Sequence, residues 1–198
     1  MPDLAAGPTP ALTYGTYLAL DEVLGAQRPR SDEHDEMLFI VIHQVYELWF
    51  KQLLHEAGHL GAALEQDDLP RVYATLKRFL TILKVQVAQI DILETMSPVS
   101  FLSFRERLDT ASGFQSPQFR ELEFVLGRRD RRMLAHHEAA PAALARLEVR
   151  LRQPSLWDAF VGFLVRLGYA VPPALLARDR AHSNPETPEL QPLLVEIY

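Results

Sequence analysis

From Asp35 to Leu64 the chain contains no proline, and its only glycines, Gly58 and Gly61, come late. Apolar residues recur there at Leu38, Val41, Ile42, Val45, Leu48, Trp49 and Leu53, with Gln52 the polar exception. That spacing follows the 3.6-residue period of an amphipathic helix rather than the two-residue period of a strand. A helix of this length spans roughly 40 Å and sets the long dimension of whatever packs on it. Asp67, Asp68 and Pro70 then give a turn with a helix-starting signal. A second long periodic run follows from Pro70 to Thr95, with Val72, Leu76, Phe79, Leu80, Leu83, Val87, Ile90 and Leu93 on its apolar face.

Nowhere does the chain alternate with period two, and it has no Asn-Gly or Asp-Gly hairpin signal. Shorter helices are expected at about 12–24, 99–108, 117–126, 131–151, 155–167, 172–178 and 189–198, with a loop over 110–116. The fold class expected is all-α, a single-domain helical bundle around two long central helices. Residues 1–11 read as a flexible N-terminal tail and 12–198 as the folded domain. The closing stretch LQPLLVEIY is an apolar helical pattern without a cap, and it reads as a chain cut short within a helix.

Composition excludes several classes. The absence of cysteine rules out disulfide frameworks, thiolate zinc sites, iron–sulfur clusters and cysteine nucleophiles. Twenty basic against 26 acidic residues leave a net charge of −6, which argues against nucleic acid as a partner. The N-terminus lacks the basic and apolar regions of a signal peptide, and no apolar run approaches the length of a membrane span. A cytoplasmic protein without nucleic-acid or membrane partners is expected.

Three constellations carry chemistry. His55-Glu56-Ala57-Gly58-His59 is a literal H-E-x-x-H, whose imidazoles would share a helix face and hold zinc. No third ligand follows it, so solvated histidines are the preferred reading. Phe39 and His43 lie one helical turn apart in FIVIHQ. Apolar neighbours on every side imply a desolvated imidazole held in its neutral form. Phe101 and Arg105 repeat the same spacing just before the loop ASGFQS, and the Arg105 guanidinium can grip a carboxylate through two parallel hydrogen bonds. A surface salt bridge with Asp109 is the plainer use of Arg105. Ser112 and Gly113 could offer backbone amides and a hydroxyl to an anion. Arg128-Arg129-Asp130-Arg131-Arg132 reads as a solvated segment between helices. An aromatic face, an imidazole and a guanidinium together describe a pocket for an aromatic amino acid.

LTYGTYLALDEVL, FIVIHQVYELWFKQLLHE and ILETMSPVSFLSFRERLDTASGFQSPQFRELEFVLG carry Y-x-x-Y-L, F-I-x-x-H-Q-x-x-E-L-W, L-E-T-M-x-P and A-S-G-F-Q-S in order. Over residues 12–127 the chain resembles the tryptophan 2,3-dioxygenase family. The resemblance implies an all-α haem enzyme, usually a homotetramer, that inserts both atoms of O2 across the indole C2–C3 bond of L-tryptophan. The product is N-formylkynurenine, the first intermediate of the kynurenine pathway.

By the same resemblance, Phe39, Ile40, Val41, Ile42 and His43 line the distal pocket, with His43 the catalytic candidate against the indole N–H. Arg105 clamps the substrate carboxylate beside Phe101. Tyr14, Tyr17 and Leu18 complete a neighbouring subunit's pocket. Ser112 and Gly113 are the expected cofactor-binding positions, and ferrous haem b the expected cofactor.

The family's iron-ligating histidine, in a W-R-x-x-H setting, and its G-T-G-G-S loop have no counterpart here. None of the histidines at 34, 43, 55, 59, 136, 137 and 182 has that setting, so no metal ligand is expected within these residues. Ile90 stands where many relatives have tryptophan. Poor haem binding and little activity are therefore expected of the 198 residues alone. The runner-up reading is a non-catalytic helical protein for aromatic amino-acid binding or oligomerisation.

Overall fold

The computed structural model describes residues 11–183 and 188–197. All regular structure among the described residues is helical. The expected tail at residues 1–11 lies almost wholly outside them. In order the helices are α1 (Tyr14–Leu18), α2 (Leu20–Leu24), α3 (His34–Glu65), α4 (Leu69–Leu93), α5 (Pro98–Arg105), α6 (Pro117–Val125), α7 (Pro141–Arg152), α8 (Leu156–Arg166), α9 (Pro173–Leu176) and α10 (Gln191–Ile197). None is long and apolar enough to cross a membrane.

The two long periodic runs become α3 and α4. Asp67 takes a left-handed conformation (φ 56°) in the turn between them, and the Asp68 carboxylate accepts the Arg71 N–H to start α4. The two helices pack along their length, and α6 and α8 also pack against α3. Leu53, Ala57, Phe79, Ile82, Leu122 and Val125 close the core between α3, α4 and α6. Leu60 and Leu64 meet Phe163 and Leu164 of α8 further along, and Phe124 is sealed in by Leu147 and Leu151 of α7.

Two expected helices are divided. The run 12–24 breaks at Ala19, whose φ of 50° ends α1 and begins α2. The run 131–151 is a 3₁₀ segment over Arg131–His137 followed by α7, because Pro141 can start a helix but cannot continue one. Neither α1 nor α2 buries a side chain. The arm they form is tied down at its base, where the Gln27 amide donates to Gln44 Oε1 (2.6 Å) and the Gln44 amide donates to the Ala26 carbonyl (3.2 Å).

Segment 128–132 departs from the solvated reading. Arg129 is 4% exposed and donates to the carbonyls of Phe124 (3.3 Å), Leu151 (2.8 Å), Gln153 (2.5 Å) and Arg180. One guanidinium thus satisfies carbonyls at the ends of α6 and α7 that have no partner within their helices.

The approach to α3 is anchored by Glu36, which is 1% exposed. It accepts from Arg30 N (2.7 Å), Ser31 N (2.8 Å) and the Ser31 hydroxyl (2.5 Å). Burial alone would raise its pKa, but these hydrogen bonds outweigh burial and hold it below the ordinary 4.5. A depressed folded-state pKa contributes stability that is complete above the unfolded value and lost as pH falls through the folded one. Thermal melts across pH 7 to 3 should therefore show stability declining below about 4.5, the ordinary value, with Glu36→Gln flattening that decline. An unchanged pH profile in the variant would remove Glu36 from this role.

Candidate functional site

A cavity of about 480 Å³ opens between the first half of α3 and the loop that follows α5. Ligand pockets commonly fall in this size range. From α3 come Glu36, Phe39, Ile40, His43, Gln44 and Glu47, a stripe at helical spacing. Leu108, Ala111, Ser112, Gly113 and residues 115–117 form the facing wall. Arg28 and Arg30 stand at the rim.

The facing wall is held by short-range polar contacts. Ser112 Oγ accepts the Phe114 N–H (3.3 Å), and Gln115 Oε1 accepts the Ser112 N–H (3.2 Å). The Gln118 amide reaches across to the Glu47 carbonyl (3.0 Å) and carboxylate (2.8 Å), fixing the start of α6 against α3. A Cβ on Gly113 would meet no protein atom within 4 Å. The space beside Gly113 is therefore free for a ligand to approach the main chain closely.

Phe39 is the floor. Its ring lies 4.1 Å from the His43 ring, 5.8 Å from Phe101 and 5.6 Å from Phe104, which is fully buried. His43 Nδ1 is 2.7 Å from the Phe39 carbonyl. A carbonyl only accepts, so Nδ1 carries the proton, and in the neutral ring Nε2 keeps its lone pair. His43 is exposed. The desolvation implied by its apolar sequence neighbours is absent, because those neighbours point to other faces of α3.

The remaining sequence candidates divide. Ile40 borders the cavity; Ile42 is 5% exposed and belongs to the core, and Val41 faces outward. Phe101 lies against Phe39 at a tilt of 36°, and Arg105 lies one turn further along α5, half-buried and outside the cavity lining. Arg105 Nη1 donates to the main-chain carbonyl of Asp109 (3.2 Å), not to its carboxylate. Tyr14 and Tyr17 are 76% and 72% exposed on the arm, with Leu18 beside them.

His55 and His59 are exposed, but Glu56 turns inward, where Arg78 Nη1 lies 3.0 Å from each carboxylate oxygen and Gln52 donates to Oε1. Consecutive helical residues face about 100° apart, which parts the carboxylate from the imidazoles. Among the described residues no group of three or more His, Cys, Asp or Glu could hold a metal ion. Ile90 faces outward on α4, away from the cavity.

Sequence reasoning passed over Gln44, Glu47, Leu108 and Ala111. The helical spacing from Phe39 and His43 was the available signal for the first two. Only the chain reversal after α5 brings in the others.

A family model described as tryptophan 2,3-dioxygenase matches residues 5–160. This chain belongs to the tryptophan 2,3-dioxygenase family. The tryptophan 2,3-dioxygenase of Anaeromyxobacter sp. (strain K) is 53% identical over 188 residues, covering 95% of this chain and 71% of that protein. That of Herpetosiphon aurantiacus is 52% identical over 190 residues, covering 95% and 73%. The Caulobacter vibrioides tryptophan 2,3-dioxygenase is 46% identical over 187 residues, covering 94% and 71%. The match to the family spans α1 to the first half of α8 and so includes every wall of the cavity.

Proposed function

We propose that this chain binds L-tryptophan in the cavity between α3 and the 108–117 wall and serves the oxidative cleavage of its indole C2–C3 bond by O2. The product is N-formylkynurenine. The observation that carries this reading is the paired presentation of the Phe39 ring and the His43 Nε2 lone pair to one cavity, in a chain of this family.

Indole fits that pair chemically. Its flat ring packs against Phe39 and Ile40, and its N–H needs an acceptor once water is excluded. His43 Nε2 supplies the acceptor. The role is orientation, because an indole N–H is far too weak an acid for neutral imidazole to deprotonate. Arg105, beyond Phe101, takes the substrate carboxylate. Tyr14, Tyr17 and Leu18 of a second copy would complete the pocket in a homotetramer of a cytoplasmic enzyme.

Haem supplies the oxygen chemistry of the family. Ser112 and the open backbone at Gly113 would hold an edge of such a group. His43 is the one histidine among the described residues that borders the cavity, and its Nε2 is already assigned to the substrate. These residues would contribute to holding haem but do not by themselves make a complete haem site.

Calorimetric titration with L-tryptophan and 1-methyl-L-tryptophan tests the reading. The methylated ligand cannot donate from its ring nitrogen. Wild type should bind it about tenfold more weakly, the upper range for one hydrogen bond, and His43→Leu should bring the two affinities together. Equal affinities in wild type would overturn the role of His43. No binding of either ligand would overturn the function.

A further inference from the structure

The first of the two residues between Leu108 and Ala111 has an unusual backbone. Asp109 has φ 51° and ψ −123°. Ala111 N donates to the Leu108 carbonyl at 2.9 Å, closing a four-residue turn across it. Those angles are the first central position of a type II′ turn, a site where glycine is the residue without steric cost. Both ends of the turn, Leu108 and Ala111, border the cavity.

The direction of the Asp109 carbonyl follows from that ψ. A type I turn, the commonest form, keeps nearly the same angles at the second central residue but gives the first a negative φ, so Asp109 would have to turn about both of its backbone bonds to adopt it. In the observed turn the oxygen meets Arg105 Nη1 at 3.2 Å. Among the described contacts this is the hydrogen bond of the Arg105 side chain, and it ties down one end of the planar guanidinium. A long side chain held at one nitrogen has fewer rotamers to lose when its other edge meets a ligand.

We infer that Asp109 is a positioning residue, which acts through its main-chain carbonyl to hold Arg105 ready for the substrate carboxylate. The inference rests on the reading of Arg105 as the carboxylate clamp. The Asp109 side chain is exposed, so what matters is the backbone shape the residue accepts. Glycine and asparagine accept a positive φ; alanine does so reluctantly, and β-branched valine resists it most. Valine resists this φ, so it loosens the turn that presents the carbonyl to Arg105.

The test is calorimetry with L-tryptophan and with tryptamine, which lacks the carboxylate. Asp109→Gly and Asp109→Asn should bind L-tryptophan as wild type does. Asp109→Val should weaken L-tryptophan by about tenfold and leave tryptamine unchanged, with Asp109→Ala between. In an Arg105→Gln background Asp109→Val should cost nothing further, since the group it positions is gone.

Equal weakening of both ligands, or a loss in Asp109→Gly as large as in Asp109→Val, would mark a structural or side-chain effect and overturn the inference. So would wild-type affinity in Asp109→Val. If Arg105→Gln itself leaves L-tryptophan binding intact, the clamp falls and this inference falls with it. If Arg105→Gln weakens binding while Asp109→Val does not, the positioning role alone is lost.

Discussion

Replacing Arg129 by methionine should cost about 3–5 kcal/mol of folding stability, the range seen when a buried charged partner is removed. The aliphatic part of methionine roughly replaces the lost volume, so the effect is electrostatic rather than a packing void. Three carbonyls, from Leu151, Gln153 and Arg180, would lose this donor together, while that of Phe124 keeps the Gly127 N–H at 3.1 Å. Leaving even two of them buried and unmet accounts for the figure at about 1–3 kcal/mol each. In a chain of this length that lowers the melting temperature by on the order of 10 °C. Arg129→Lys should recover little, because one ammonium cannot span carbonyls from three separate segments. A melting temperature within about 2 °C of wild type in Arg129→Met would show that water replaces the guanidinium without penalty.

Arg105→Gln should raise the dissociation constant for L-tryptophan by on the order of 100-fold, the cost of removing one partner from a hydrogen-bonded charge pair. Tryptamine should bind the variant and the wild type alike, because it brings no carboxylate. The folded state should hardly change: Arg105 is half-buried, and the described structure gives it one hydrogen bond and no ion pair. Arg105→Lys should fall between, since an ammonium keeps the charge but not the planar fork. A tryptamine affinity that falls in parallel with that of L-tryptophan would remove the carboxylate from the explanation.

The sequence announces α3 and α4 because their information is local. Long proline-free periodicity has one economical solution, and the Asp67-Asp68-Pro70 turn between the two runs is written in residue types. The Phe39–His43 pairing was legible for the same reason, since i,i+4 neighbours meet on any helix. The split at Pro141 was missed, since the expected helix 131–151 ran through it, although a proline within a periodic run is itself a signal to end the helix. The break at Ala19 carries no such signal, because nothing marks alanine as the residue to take a positive φ.

Exposure and long-range partners escaped for a different reason. His43 stands among apolar residues in sequence yet points into an open cavity, because the helix distributes its neighbours around other faces. Arg129, in a run of charges, found carbonyls 22, 24 and 51 residues away. No local pattern distinguishes it from Arg128, which stays 81% exposed. The turn at Asp109 hides behind an aspartate where turn chemistry would prefer glycine.

The amide clasp between Gln27 and Gln44 has a thermodynamic consequence. Gln44 follows His43 directly, so the imidazole and the tether of the arm share one stretch of backbone. If filling the cavity stiffens that stretch, it must also stiffen the clasp. Linkage then makes the effect reciprocal: immobilising Tyr14 and Tyr17 tightens the grip on the ligand by the same factor. Two events on opposite ends of a glutamine side chain would thereby become a single cooperative transition.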